Sequence, residues 1–490
     1  MNKAFTAYFQ DLIMQMTAAF TELMAIRGLT APAPAPGEVT LQGQDPIFET
    51  PYRVGETMAQ IFAACGVAAN DLWAIRSGRR QSVGISVSAA AATVKSSGCT
   101  FRRADDGTYA VIPGSDAMKH MVSLTQPWPT ADGQWFLPHT NLPHLERRVL
   151  DLLKCDSTPA SISAAIRTWN ALELEEAIAN VQACGGMVRT AEDWLAHPQG
   201  AYLAERPVVE MDRTGDSVPE RFSPGAMPLS GVRVLDLTRI LAGPTCGLSL
   251  TEFGADDLMV TAPHLPQVPE FVRDTSHGKR SCFLDFTTHN GAARLAELVS
   301  EADIVIDGYR PGRLGAHGFG WDDLMRIRPG LIHVSVNCFG SGGPFGDRAG
   351  WDQVAQAVTG MCHTQGLATG GGQPQLTPVY MCDYAAGRLG SFGAMLALAR
   401  RAREGGSYRV QVSLCQSAMF FQRQGVVTAY DTAPGGMSDT EFRQYRIDEH
   451  GTCYGDLRCL GPVLHMSETP CRWPRVTPRL GSDAPVWLPR

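Results

Sequence analysis

No window of this 490-residue chain reaches the ~18 uninterrupted apolar residues of a membrane-spanning helix. The opening MNKAFTAYFQDLIMQMTAAF also lacks the unbroken apolar core of a secretion signal, because Asp11 and other polar residues interrupt it. Phe5, Tyr8, Phe9, Leu12, Ile13 and Met16 instead share one face of an expected amphipathic helix. Positive charge is not in excess. Lys and Arg number 42 against 49 Asp and Glu, a net −7, so no basic field points to nucleic acid. The thirteen cysteines have neither the even count nor the spacing of a disulfide framework, which implies reduced thiols and a cytoplasmic location. Cys453, Cys459, His465 and Cys471 recur every six residues, whereas zinc ligands come in pairs two to four apart, so no metal is expected. There is no G-x-G-x-x-G, and a dinucleotide site has no direct support.

What the chain has is length enough for two to three domains. APAPAPGE, Ala31 to Glu38, is an extended linker that ends an N-terminal segment of residues 1–43. Residues 44–215 form a first unit, 228–430 a second, and 431–490 a returning tail. The two units share a piece: WAIRSGRRQSVGISVSAAAA from Trp73 can be laid on LARRAREGGSYRVQVSLCQSA from Leu398, each a helix end, a basic glycine turn and an alternating strand. In the second unit short apolar runs (VRVLDLT, DLMVTA, RSCFLDF, DIVIDGY, LIHVSVN) alternate with helical segments. That pattern predicts an α/β fold, a Rossmann-like parallel sheet with helices on both faces, with a smaller α+β domain supplied by the first unit. Ligands on such sheets bind at the carboxyl ends of strands, where Arg239, Tyr309 and Arg310 fall.

The most informative stretch is PVYMCDYAAGRLGSFGAMLALARRAREGGSYRVQVSL, Pro378 to Leu414. One acid, Asp383, precedes a helix rich in glycine, alanine and serine that ends in a basic cluster and Gly405-Gly406, as helices end. Asp383 admits two readings: an N-cap, which is common, or a nucleophilic carboxylate at the mouth of a tightly packed helix.

This stretch resembles the catalytic segment of the family III CoA-transferases, a superfamily that includes formyl-CoA transferases and α-methylacyl-CoA racemases. GVRVLDLTRILAGPTCGLSLTEFGADDLMV, HGKRSCFLDF, ADIVIDGYRPGRLGAHGFGWDDL and RPGLIHVSVNCFGSGGPF resemble its other elements in the family's order, from Pro228 to Gln424. ADGQWFLPHTNLPHLERRVLDLLKC and WNALELEEAIANVQACGGMVRTAEDWLAHPQGAYLAERPVVEM resemble its small domain and returning segment, so the chain reads as two partial copies of that fold. The resemblance implies that Asp383 is the nucleophile and that Ala242-Gly243-Pro244 contacts pantetheine, with Ile240 and Tyr309 also binding CoA. Arg239, Lys279, Arg280 and Arg310 match basic or turn positions in the family and are candidates for the phosphates, the alternative for each being a solvated surface cation. A CoA thioester would be a substrate, with no cofactor held permanently, and a carboxylate would be the acceptor. The assembly would be a homodimer, one that can interlock. The implied activity is CoA transfer through an aspartyl anhydride; the alternatives are an inactive partner subunit or a racemase-type isomerase.

Several positions depart from the family. Trp351 stands where racemases carry a histidine, and Leu142 where they carry a glutamate, which argues against a racemase, with His363 and Asp352 as candidate substitutes. The segment Val260 to Pro266 lacks the usual acid and Gly-Asp, with His264 as a candidate replacement. Gly340 to Gly343 and Gly370 to Gly372 are candidate oxyanion donors, but the second run precedes Asp383, while the family's mobile glycine loop comes after the nucleophile.

Overall fold

The computed structural model describes residues 18–28 and 34–489. The expected apolar face from Phe5 to Met16 and the first part of the Pro/Ala linker lie outside the described residues. The centre of the fold is a seven-stranded sheet of β1 (Glu210–Gly215), β2 (Arg233–Asp236), β3 (Asp256–Thr261), β4 (Arg280–Phe283), β5 (Ile304–Asp307), β6 (Ile332–Asn337) and β7 (Ser407–Ser413). Its order is β4-β3-β2-β5-β6-β7-β1. β2 through β7 run parallel, and β2 to β6 are almost wholly buried, which is why they read as continuous apolar runs. The winding reverses between β2 and β5, and that leaves a crevice at their carboxyl ends.

Sequence periodicity predicts a parallel sheet, and the edges add to it. β1 arrives from the first unit and pairs antiparallel with β7. At the opposite edge the C-terminal tail covers β4: Asp483 N–H donates to the Ser281 carbonyl at 2.7 Å and its carboxylate accepts from Ser281 N–H at 2.9 Å. β1 thus forms one edge of the sheet, and the tail covers the other.

Four helices frame the crevice and its support: α1 (Val54–Ser77), α2 (Ala242–Glu252), α3 (Asp352–Val358) and α4 (Met381–Glu404). Among the described residues α1 alone is long and apolar enough to cross a bilayer by length and composition; here it is buried against α4, and its Asp71 pairs with Arg27 at 2.7 Å. α1 and α4 are each 24 residues long, and each leads through a glycine turn into a strand and then a second helix. The parallel reaches their first turns. Asp45 accepts from the N–H groups of Gly55 and Glu56, the second and third residues of α1. Asp352 accepts from those of Cys382 and Asp383, the second and third residues of α4.

Three smaller sheets complete the structure, and each of the two containing Val83–Ser86 or Phe101–Arg103 pairs them with C-terminal strands, His465–Met466 and Gly455–Leu460. Of the six-residue cysteine and histidine series, Cys453 and His465 are exposed while Cys459 is buried.

Candidate active site

Asp383 does not cap its own helix. It is the third residue of α4, and the helix start is capped from 31 residues away by Asp352, whose Oδ2 accepts from Cys382 N–H at 2.8 Å and Asp383 N–H at 3.0 Å. Released from that duty, the Asp383 carboxylate accepts no hydrogen bond from any described residue. It is 7% exposed and faces a cleft. Burial, reinforced by the negative charge of Asp352, holds its pKa well above the usual carboxylate range. Burial also pushes Asp352 up to about 6, against the N–H groups and the Gln356 amide that favour its charged form.

The position of α4 is set by its glycines. A Cβ on Gly387 would stand 2.4 Å from the Ala242 carbonyl oxygen, so α4 and α2 meet backbone to backbone one turn beyond Asp383. The same two helices are clamped by Arg388, which forks onto Glu252 at 2.6 and 2.8 Å in the buried core. Sequence thus brings the turn at Ala242 and Gly243 to the base of Asp383.

The cleft has a volume of about 640 Å³ and tracks the carboxyl edge of the sheet, from Phe286 beyond β4, across the switch point, to Leu414 beyond β7. Ile240, in its wall just before the turn, holds φ of 79°, a costly conformation for a β-branched residue and the kind of strain that gathers at functional sites. Five cationic or titratable bases line the middle: His144, Arg148, Arg239, Arg310 and Arg313. None is ion-paired with a described residue. Burial, then repulsion from Arg148, Arg239 and Arg310, pulls the His144 pKa down; burial, then Arg313 and Arg148, does the same to Arg310. Such mutual repulsion without a carboxylate partner is relieved by a polyanion. His144 and Arg148 come from the first unit, on the helix Pro143–Leu153, so one chain supplies both walls.

The model of CoA-transferase family III matches residues 229–445, the span that carries the sheet from β2 onward, the turn and Asp383. This part of the chain belongs to CoA-transferase family III. An acetyl-coenzyme A transferase of Hypoxylon pulicicidum, nodX, is 39% identical over 200 residues, 40% of this chain and 34% of that protein. The beta subunit of a succinyl-CoA–L-malate CoA-transferase of Chloroflexus aurantiacus is 33% identical over 264 residues, 50% of this chain and 60% of the relative. The solved structure of Rv3272 from M. tuberculosis aligns with 40% of this chain and 56% of its own, at 35% identity and a TM-score of 0.38. The matches span between a third and three-fifths of these relatives' lengths.

Within this family III region the structure gathers some of the sequence-predicted site residues and separates others. Asp383, Arg239, Ile240, Ala242, Gly243, Tyr309 and Arg310 all line the cleft. Pro244, Lys279 and Arg280 do not. Arg280 opens β4, so it lies at the amino end of its strand, away from the crevice; it pairs with Asp256 at 2.8 Å and donates to the Val486 carbonyl. Lys279 is fully buried: its Nζ donates to Asp236 and to the Pro244 carbonyl, each at 2.7 Å. Burial pulls the Lys279 pKa down, but Asp236 and Asp257 outweigh it and hold the ammonium charged. Lys279 therefore props the turn from below and is a positioning residue, with no access to a phosphate.

The glycine runs also lie off the cleft. Gly342 and Gly343 pack on Tyr202 and Gln199, while Gly371 and Gly372 sit in an exposed turn after the helix Met361–Thr369. His264 does line the cleft, beside Thr261 and Ala262. Sequence reasoning missed His144, Arg148 and the capping role of Asp352. The first two were detectable as polar residues four apart on an amphipathic helix; the third has no local signal.

Proposed function

We propose that this chain transfers CoA from an acyl-CoA to a carboxylate acceptor, with Asp383 accepting the acyl group. The observation that carries this reading is a carboxylate with no hydrogen-bond partner among the described residues, opening into the same cleft as a cluster of cations that lack carboxylate partners. The cations suit the phosphates of a CoA ester, and the turn at Ala242 and Gly243 leaves room for a narrow arm to pass beside Asp383.

The chemistry is two symmetrical exchanges. An Asp383 oxygen attacks the thioester carbonyl, the C–S bond breaks, and a mixed anhydride and CoA thiolate result. The thiolate then attacks the Asp383 carbonyl carbon, expelling the donor acid as its carboxylate and leaving CoA as a thioester on Asp383. The acceptor carboxylate attacks that thioester and regenerates thiolate and a new anhydride. Thiolate attack on the acceptor's carbonyl frees the new acyl-CoA and returns the aspartate. A desolvated carboxylate whose pKa is raised is a stronger nucleophile once ionised, which suits the first step.

Proton exchange at an α-carbon would need an acid and a base on opposite faces of the substrate. Trp351 and Leu142 line the cleft where such groups would stand, and neither exchanges a proton. The homologous transferases favour CoA transfer. The test is trapping: incubate the chain with acyl-CoA, quench with hydroxylamine, and look for a modified Asp383 by mass spectrometry. Modification in the wild type and its loss in Asp383→Asn are expected. A wild type that neither labels with any acyl-CoA nor binds CoA would instead be an inert partner subunit.

A further inference from the structure

The two ends of the cleft differ in chemistry. The unpaired cations sit on the segments after β2 and β5 and on the first unit, while Arg348, after β6, is tied to Glu176; Asp383 lies at the β6–β7 end. There the neighbouring wall is mostly apolar, Val336, Cys338 and Leu414 with Trp351, and Asn337 is its polar member. The acyl group must lie at this end, because the bond to be broken must reach Asp383.

Trp351 is held there from several sides. Its indole stacks on the imidazole of His139, with centroids 4.6 Å apart and planes 28° from parallel. His139 is wholly buried, its Nε2 3.2 Å from Gln353 Oε1 and its backbone N–H donating to the Cys184 carbonyl at 2.9 Å. On the other side of the chain, a Cβ on Gly350 would fall 2.2 Å from Cys338 Sγ, so this backbone is drawn down onto the end of β6. The next residue, Asp352, holds the N–H of Asp383. The indole therefore cannot move away without disturbing either its imidazole support or the start of α4.

We propose that Trp351 is the specificity-determining residue for acyl length: its indole closes the apolar end of the cleft beside Asp383 and restricts transfer to short acyl groups. The inference rests on the CoA-transfer reading and goes beyond it by naming the substrate feature selected. A site that favours a shorter chain by crowding discriminates by roughly tenfold or more for each methylene that does not fit.

The experiment measures kcat/KM for acetyl-, butyryl-, hexanoyl- and octanoyl-CoA with one acceptor, together with hydroxylamine trapping at Asp383. Wild type should favour the short members, with a sharp fall along the series. Trp351→Ala should raise the hexanoyl-to-acetyl ratio at least tenfold. Trp351→Phe, which keeps an aromatic ring against His139 and so protects folding, should shift the cut-off in the same direction by less. A uniform change across all four thioesters in both variants overturns the proposal, as does a wild type that is indifferent to chain length. Failure of the underlying reading has a different signature: a wild type that traps no member of the series at Asp383.

Discussion

Gly387→Ala separates the geometry of the site from the stability of the fold. Gly387 lies four residues after Asp383, one turn along the same face of α4. Its added methyl would stand 2.4 Å from the Ala242 carbonyl oxygen and 2.6 Å from Thr245 Cβ. Comfortable contact needs about 3.5 Å, so α2 and α4 would have to part by about 1 Å at this point. Overpacking of this kind costs about 1–3 kcal/mol, and replacing a mid-helix glycine by alanine returns about 1 kcal/mol. The net loss is about 0–2 kcal/mol, a fall in Tm of at most about 8 °C. Activity should suffer more. On the proposed mechanism, a misplacement of about 1 Å between the Ala242 turn and the attacking carboxylate costs on the order of 100-fold in rate. Gly393→Ala is the comparison. Its methyl would press on side-chain methyls of Val410 and Val209, away from the cleft, so stability should fall and kcat/KM of the folded enzyme should hold. Thermal melts and acyl-transfer kinetics on both variants decide it. Full kcat/KM in folded Gly387→Ala, or an equal loss in Gly393→Ala, would refute the reasoning.

Four further outcomes are expected. Because burial and the charge of Asp352 raise the Asp383 pKa, transfer should increase with pH along a limb above the ordinary carboxylate range; Asp352→Asn removes a like charge, favours ionised Asp383 and should move that limb to lower pH in a kcat/KM profile of folded enzyme. The same raised pKa means the folded state holds protons more tightly than the unfolded one, so denaturant melts should show the wild type losing stability as pH rises from about 4. Lys279→Met leaves Asp236 buried without its cation and should cost about 3–5 kcal/mol in a urea melt. Arg310→Ala should raise the KM for the CoA ester about tenfold or more and weaken its salt dependence, whereas Arg280→Ala should lower stability and leave KM unchanged.

The sheet was legible because its strands are buried on both faces and separated by helices of ordinary length. Asp383 was legible because it is the one acid at the head of a helix built from small residues. Which residue caps that helix was not, since Asp352 is brought to it by the fold from 31 positions upstream. The cations show the same limit. Arg239 and Arg310 come after their strands and therefore reach the crevice, while Lys279 precedes β4 and Arg280 opens it, and both are turned into the buried support beneath. A basic residue next to a strand is informative only once the end of the strand is known. That His144 and Arg148 share a helix face is legible, but that this face meets the cleft depends on how two separate units pack, which no local pattern encodes.

The repeated helix carries its own control experiment. Glu56 and Asp383 share a helix position and a remote capping aspartate, and Asp45, like Asp352, is raised by burial to about 6. Yet Glu56 is spoken for: Arg53 donates to one of its oxygens at 2.8 Å and the Asp45 N–H to the other at 3.2 Å, and no part of it reaches the cleft. A helix terminus with a buried acid is thus not enough to present a carboxylate to the cleft. What distinguishes the two carboxylates is idle lone pairs and a route in from solvent, so each polypeptide should titrate with one electrophile rather than two.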